Sequence, residues 1–144
     1  MPGIVLTTDL SDESKRAFAP VRMLAKQLNL RVSMLAVVEN MPFEATGGGL
    51  MAVYPDPVQV KQEWQKVLAG LADQFGRDLC DETVVLEAAD VPRAIVDFAH
   101  KNKADFVAMA THGRSGLRRL LLGSVAEQVV RHAHVPVVLY PPPG

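Results

Sequence analysis

Runs of apolar residues alternate along this chain with stretches in which apolar residues recur at helical spacing. The apolar runs predict five strands, at residues 4–6, 32–38, 83–86, 106–109 and 135–140. The stretches between them predict amphipathic helices. This alternation is typical of a parallel sheet with helices on both faces, so the pattern predicts an α/β fold.

Polar residues mark where several of the helices begin. Asp56 stands directly before Pro57, and Asp90 precedes another helical stretch, so each Asp is predicted to be an N-cap. Ser124 with Glu127 three residues later forms a capping box, which predicts that Ser124 is the N-cap of the last helix. The helix after Pro57 is predicted to bury an apolar stripe made of Trp64, Val67, Leu68, Leu71 and Phe75.

The loop after the fourth predicted strand carries most of the candidate chemistry. Its sequence is Ala110-Thr111-His112-Gly113-Arg114-Ser115-Gly116, and Gly123-Ser124 follows at a helix start. Backbone N–H groups at a helix N-terminus bind anions, and Arg114, Arg118 and Arg119 add positive charge. We therefore expect a phosphate here, facing the N–H of Gly123, and most simply the phosphate of a nucleotide.

The spacing of this loop resembles that of a known family. Gly113, nine further residues and then Gly123-Ser124 are similar to the nucleotide loop of the universal stress protein family. The family's pattern begins with a glycine three positions earlier, where this chain has Ala110. Alanine is tolerated there if its φ is negative. The resemblance extends to a first strand that ends in Thr8-Asp9 and to the closing sequence His-Val-Pro-Val-Val at 134–138.

The resemblance implies one domain over residues 1–144, with a doubly wound, Rossmann-like parallel sheet of strand order 3-2-1-4-5. Ligands of such sheets bind outside the carboxyl ends of the strands, where the order reverses. Asp9 and Ala110 follow the first and fourth strands, so we expect their loops to meet in one crevice. The resemblance also implies a homodimer paired through the last strand, Val135 to Tyr140, whose apolar edge needs cover.

The ligand that the resemblance implies is an adenine nucleotide: ATP, or else AMP or ADP. Val37 and Met109 would contact the adenine ring, although core packing is the alternative for both. Asp9 would bind ribose hydroxyls or a Mg²⁺ ion carried by the phosphates. The alternative is that Asp9 is a turn residue whose carboxylate accepts hydrogen bonds from backbone N–H groups. The full set of predicted nucleotide contacts is Thr8, Asp9, Val37, Met109, Ala110, His112, Gly113, Arg114, Gly116, Gly123, Ser124 and Val125.

Composition limits the classes of function that remain. The chain has 144 residues, of which 49% are hydrophobic, enough for one sizeable core. A net charge of −1 argues against electrostatic binding to nucleic acid. No apolar run is long enough to cross a membrane, and the N-terminus lacks a signal-peptide pattern. The single cysteine, Cys80, forms no intrachain disulfide and is expected to be inert, so we expect a cytoplasmic protein.

Together these features favour a universal stress protein that binds ATP and acts in regulation or stress response. Two alternatives stay open. One is a nucleotide-free member that acts as a dimeric interaction module, for which Ala110 is the main support. The other is a slow ATPase, ranked last because no nucleophile accompanies His112 and Ser115 lacks the spacing of a nucleophile elbow. We therefore predict no catalytic residues.

Overall fold

The computed structural model describes residues 3–40, 56–111 and 122–142. In these ranges the chain forms five strands, four α-helices and one short 3-10 helix. The strands are β1 (Gly3–Thr7), β2 (Arg31–Glu39), β3 (Cys80–Ala88), β4 (Phe106–Ala110) and β5 (Val137–Tyr140). The 3-10 helix is Glu13–Ala17, and the α-helices are α1 (Phe18–Leu28), α2 (Pro57–Phe75), α3 (Val91–Lys101) and α4 (Ser124–His132).

The five strands form one parallel sheet in the order β3-β2-β1-β4-β5, which confirms the predicted order. Alternate residues of β1 face opposite sides of it: Ile4 and Leu6 belong to one core cluster and Val5 to the other. Residues of α1 and α2 complete the first cluster, and residues of α3 and α4 complete the second. The sheet is therefore covered by helices on both faces, as the alternation of the sequence predicts.

Two of the three predicted helix starts are confirmed. The Asp56 carboxylate accepts a hydrogen bond from the Val58 N–H at 3.0 Å, and the Asp90 carboxylate accepts one from the Arg93 N–H at 3.1 Å. The third prediction is wrong. The N-cap of α4 is Gly123, whose carbonyl accepts the first intrahelical hydrogen bond, and Ser124 is the first helical residue.

The capping box at the start of α4 does not form. The backbone N–H of Glu127 donates to the Gly123 carbonyl at 2.9 Å. The Glu127 carboxylate accepts from Arg131 one turn later, at 2.9 Å, rather than reaching back to the helix start. The pattern of Ser and Glu three residues apart therefore lies one position inside the helix.

Strand bounds differ from the predicted ones at both edges of the sheet. β3 is longer than residues 83–86, because its charged residues Asp81, Glu82 and Glu87 take part in the strand while their side chains are exposed. β5 is shorter than residues 135–140. Its bonding to β4 begins at the carbonyl of Pro136, which accepts from the Val107 N–H at 2.9 Å.

The long helix α2 buries most of its predicted stripe. Leu68, Leu71 and Phe75 are buried, and Trp64 packs against the same core cluster. The prediction that Val67 is buried is wrong, because this residue is 48% exposed. No helix in the described ranges is both long and apolar enough to cross a membrane.

The end of α2 is held by an ion pair. The Arg22 guanidinium donates to the two carboxylate oxygens of Asp78 at 2.9 and 2.8 Å, and to the Phe75 carbonyl at 3.2 Å. The hydrogen bond from Arg22 lowers the pKa of the Asp78 carboxyl below its ordinary value. Gly76, which lies between Phe75 and Asp78 in the sequence, has a φ of 124°. This contact ties α1 to the turn between α2 and β3.

Candidate functional site

A cavity of about 210 Å³ opens at the carboxyl ends of β1, β2 and β4, beside the start of α4. The sequence predicts a ligand at this edge of the sheet, between the ends of β1 and β4. Eight predicted contact residues line it, namely Thr8, Asp9, Val37, Met109, Ala110, Gly123, Ser124 and Val125. The other four, His112, Gly113, Arg114 and Gly116, lie outside the described residues.

Five further residues line the cavity without having been predicted: Thr7, Ser14, Ile95, Thr111 and Ala126. Thr7 and Thr111 directly adjoin the predicted site residues Thr8 and Ala110 in the sequence. Their position next to those residues is the signal that could have identified them. Ala126 belongs to the first turn of α4. Ser14 and Ile95 come from the 3-10 helix and from α3, and no sequence signal places either of them at the site.

One wall of the cavity is apolar. Val37 and Met109 are each 7% exposed, and Ile95 behind them is 2% exposed. All three belong to the core cluster between the sheet and helices α3 and α4. The wall is thus a fixed surface backed by close packing, suited to a flat uncharged group.

The turn after β1 contributes a polar part of the cavity lining. The Asp9 carboxylate accepts hydrogen bonds through its Oδ1 from the Ser11 N–H, at 3.0 Å, and from the Ser11 hydroxyl. Two hydroxyls lie buried beside it, because Thr8 is 5% and Ser14 4% exposed, and their oxygens are 2.6 Å apart. A carboxylate held in this way can accept hydrogen bonds from hydroxyl groups or bind a cation.

The start of α4 offers backbone donors. The N–H of Gly123 donates to the Thr111 carbonyl at 2.9 Å, instead of facing a phosphate as the sequence suggests. The next three N–H groups, of Ser124, Val125 and Ala126, lie in the first turn, where a helix has no intrahelical acceptors for them. All three residues line the cavity, so the anion-binding end of α4 faces it.

Ala110, where the chain departs from the family's loop, has ordinary backbone geometry. It is the last residue of β4 and pairs with Tyr140 of β5. Within the described residues, positive φ values outside glycine occur at Leu10, Asn29 and Lys103, so the expectation of a negative φ at Ala110 is confirmed. The position has no conformational need for glycine, and the methyl group is 7% exposed.

Cys80 lies far from this chemistry. It begins β3, at the amino ends of the strands, whereas the cavity is at the carboxyl ends. Its side chain is buried, and burial raises the pKa of the thiol. The thiolate is therefore disfavoured, in keeping with an inert residue. Across residues 3–40, 56–111 and 122–142, no group of three or more His, Cys, Asp or Glu side chains could hold a metal ion.

The fold and the cavity together define an α/β protein with a cavity at the switch point of its sheet, and comparison with known proteins gives the family. The model of the universal stress protein family matches residues 2–141, so the chain belongs to this family. It is 36% identical over 142 residues to Universal stress protein MJ0531 of Methanocaldococcus jannaschii, covering 97% of this chain and 82% of the relative.

Solved structures share the fold at lower identity. The universal stress protein from Archaeoglobus fulgidus, in complex with dAMP, has a TM-score of 0.69 and 18% identity, covering 96% of this chain and 97% of its own. A universal stress protein in complex with cAMP has a TM-score of 0.66 and 22% identity, covering 96% of this chain and 95% of its own. The family and its fold are thus shown for this chain, and two structural neighbours carry adenine nucleotides.

Proposed function

We propose that this protein binds an adenine nucleotide, ATP first among them, and acts as a regulatory or stress-response protein through the bound state. The observation that carries this is the cavity at the switch point, which combines an apolar wall, a carboxylate and a helix N-terminus. A base, a sugar and a phosphate can each use one of these three surfaces. The complexes of two structural neighbours with dAMP and cAMP support the choice of adenine.

Each surface is assigned one part of the nucleotide. The adenine ring packs against Val37 and Met109, which are buried and fixed by the core. The ribose hydroxyls donate to the Asp9 carboxylate, which also faces any Mg²⁺ that the phosphates carry. The phosphates accept from the N–H groups of Ser124 and Val125 at the start of α4.

The loop residues outside the described ranges complete the proposal from the sequence alone. In the sequence, the segment that joins β4 to α4 contains His112, Gly113, Arg114 and Gly116. A guanidinium forms charge-assisted hydrogen bonds with phosphate oxygens. We therefore assign Arg114 to the distal phosphates of ATP.

We also propose that two copies of the chain pair through β5. The two edges of the sheet differ in charge: β3 exposes Asp81, Glu82 and Glu87, whereas Val137–Tyr140 carries no charge and is half-buried throughout. Charged side chains are a common protection of edge strands, and an edge without them is suited to pairing. β5 is therefore the edge at which a second copy fits.

The peptide groups of β5 show which residues would pair. The Val107 N–H donates to the Pro136 carbonyl, and the Thr111 N–H donates to the Tyr140 carbonyl. Because peptide groups alternate in direction along a strand, Val137 and Leu139 direct their N–H and C=O groups away from β4. These are the groups that a partner strand would use.

The nucleotide assignment is tested by titrating ATP calorimetrically and by releasing any co-purified nucleotide with acid. Asp9→Asn should weaken ATP by at least about tenfold, or ~1.4 kcal/mol, because an amide nitrogen cannot accept from a ribose hydroxyl. Asp12→Asn is the matched control, since the Asp12 side chain is 93% exposed and pairs only with Lys15 among the described residues. If wild-type protein contains no nucleotide and binds none, the nucleotide-free interaction module is correct.

The phosphate assignment is tested separately with Arg114→Ala. A hydrogen bond to a charged group contributes roughly 1.5–3 kcal/mol, so the variant should weaken ATP far more than AMP. Equal losses for the two nucleotides would place Arg114 away from the distal phosphates.

A further inference from the structure

The turn that carries Asp9 has an unusual backbone at its centre. Leu10 has a φ of 69°, a left-handed conformation that is costly for a residue with a Cβ. Its N–H donates to the Thr8 hydroxyl oxygen at 2.9 Å, and its side chain packs against the core. Strained residues of this kind persist only where the surroundings hold them, so the contacts of Thr8 decide whether the turn survives.

The hydrogen bonds around Thr8 have only one consistent set of directions. The Ser14 hydroxyl donates its single proton to the Ser11 carbonyl at 2.6 Å. In the 2.6 Å contact between the two hydroxyls, Thr8 must therefore be the donor and Ser14 the acceptor. The proton of Thr8 is thus used inside the protein, and Thr8 holds the turn rather than donating to a ligand.

A second set of hydrogen bonds joins Ser14 to Asp9. The Ser14 N–H donates to the Ser11 hydroxyl oxygen at 3.3 Å, and that hydroxyl donates to the Asp9 carboxylate. The Ser11 N–H donates to the same carboxylate oxygen at 3.0 Å. Ser14 therefore contacts Ser11 at its carbonyl and at its hydroxyl, and Ser11 contacts Asp9 with two donors.

From this arrangement we infer that Ser14 is a positioning residue for the Asp9 carboxylate. Its buried hydroxyl is the acceptor that fixes Thr8 and the donor that fixes Ser11, so it stabilises the left-handed turn from both sides. The ring of contacts holds Asp9 toward the cavity before any ligand binds. The consequence for ligand affinity rests on the proposed nucleotide function, whereas the consequence for the turn does not.

The turn is tested first, without nucleotide, by amide hydrogen exchange in Ser14→Ala. Exchange of the Leu10 and Ser11 amides should become at least about tenfold faster, because their acceptors, the Thr8 hydroxyl and the Asp9 carboxylate, are no longer held in place. Core amides such as Leu35 should keep their protection. Ser33→Ala is the matched control, since it removes a hydroxyl that bonds to Glu82 on the surface. Unchanged exchange at Leu10 and Ser11 in Ser14→Ala would overturn the inference.

The action through Asp9 is tested by a double-mutant cycle with ATP as the probe. Ser14→Ala should weaken ATP about tenfold in the wild-type background and have no further effect in Asp9→Ala. A merely structural effect of Ser14 would weaken ATP equally in both backgrounds, and that result would overturn the inference.

Thr8→Val keeps the experiment decisive if Ser14→Ala does not fold. It removes the other hydroxyl of the same contact and preserves side-chain volume. Because the Leu10 N–H loses its own acceptor in this variant, the readout is the Ser11 amide, whose acceptor Asp9 is retained. Exchange at Ser11 should be faster, and unchanged exchange there would overturn the inference. If wild-type protein binds no ATP, the proposed function fails, and the exchange experiment still decides whether Ser14 holds the turn.

Discussion

One methyl group has different consequences at three positions of this chain. At Gly70, on the exposed side of α2, an added Cβ would meet no atom within 4 Å. At Gly76, with a φ of 124°, it would lie 2.7 Å from Asp78 Oδ1 and closer still to Arg22. At Ala110 the methyl is present already, on a strand residue with ordinary geometry.

The two glycines form a matched pair for stability. Gly70→Ala should raise the free energy of unfolding by about 0.5–1 kcal/mol, because alanine restricts the unfolded chain and fits the helix. Gly76→Ala should lower it by about 1–2 kcal/mol or more, since the left-handed backbone is strained and the Arg22–Asp78 contact must shift. Urea denaturation measures both. A stabilising Gly76→Ala would contradict the geometry of this turn.

Ala110→Gly tests whether the departure from the family's loop matters. Because Ala110 already has a negative φ, glycine relieves no strain there. The affinity for ATP, measured by calorimetry, should change by less than about tenfold, or roughly 1.4 kcal/mol. Tight ATP binding that appears only in the glycine variant would instead favour a nucleotide-free protein.

For single residues, the sequence predicts which residues line the cavity better than it predicts their hydrogen-bond partners. Asp9, Val37 and Met109 line the cavity, where the family resemblance leads us to expect them. The partner of the Gly123 N–H could not be predicted, because its acceptor, Thr111, lies across a loop. The contacts of Ser14 could not be predicted either, because the turn after β1 brings its hydroxyl next to the Thr8 hydroxyl and the Ser11 carbonyl only in the folded chain.

Among the contacts between elements, the ion pair at the end of α2 depends on pH. Arg22 lowers the pKa of Asp78 in the folded protein, so the stability it contributes is present above the ordinary Asp pKa, roughly 3.9, and is lost as pH falls through the lower folded value. Asp78→Asn should therefore unfold more readily than wild type at pH 7, and the difference should shrink below about pH 3.9.

The measurement for this pair is urea denaturation across that pH range. Asp97→Asn is the control, because Asp97 lies 3.8 Å from Arg93 and both side chains are mostly exposed. Its effect should be smaller than that of Asp78→Asn at pH 7. A deficit in Asp78→Asn that persists unchanged at low pH would show that packing, and not charge, is lost.

Element types follow from sequence here, while element bounds do not. The five strands lie where the apolar runs predict them, because such runs report burial, and their order is the one that the family resemblance implies. β3 extends past its apolar centre because an edge strand can expose Glu82 and Glu87 and still pair on its other side. The start of α4 is displaced by one residue because a glycine carbonyl serves as well as a serine to begin a helix.

For the whole molecule, the difference between the two sheet edges has a direct test. Leu139→Pro removes an N–H that points away from β4, so it should weaken self-association while the bonds from β5 to β4 remain. Glu87→Pro is the matched change on the opposite edge, where the Asn40 N–H bonds to the Ala88 carbonyl and the peptide of Glu87 therefore points outward.

Sedimentation at several protein concentrations measures the result. Wild type and Glu87→Pro should show the same dimer, and Leu139→Pro should be shifted toward monomer. Loss of the dimer in Glu87→Pro alone would place the contact at β3. The sequence already leads us to expect an apolar edge at the last strand, and the structure adds that the opposite edge, β3, includes exposed charged residues.

Thr111 connects the start of α4, at the proposed ligand site, with the end of β5, at the proposed dimer edge. This residue, 6% exposed, donates its N–H to Tyr140 at the end of β5 and accepts from Gly123 at the start of α4. A ligand that fixes the helix start and a partner that fixes the strand therefore restrain the same residue. Coupling is reciprocal, so ATP should tighten the dimer by the factor by which dimerisation tightens ATP. Sedimentation with and without ATP measures this factor, and a value of one would mean that Thr111 transmits nothing between ligand and assembly.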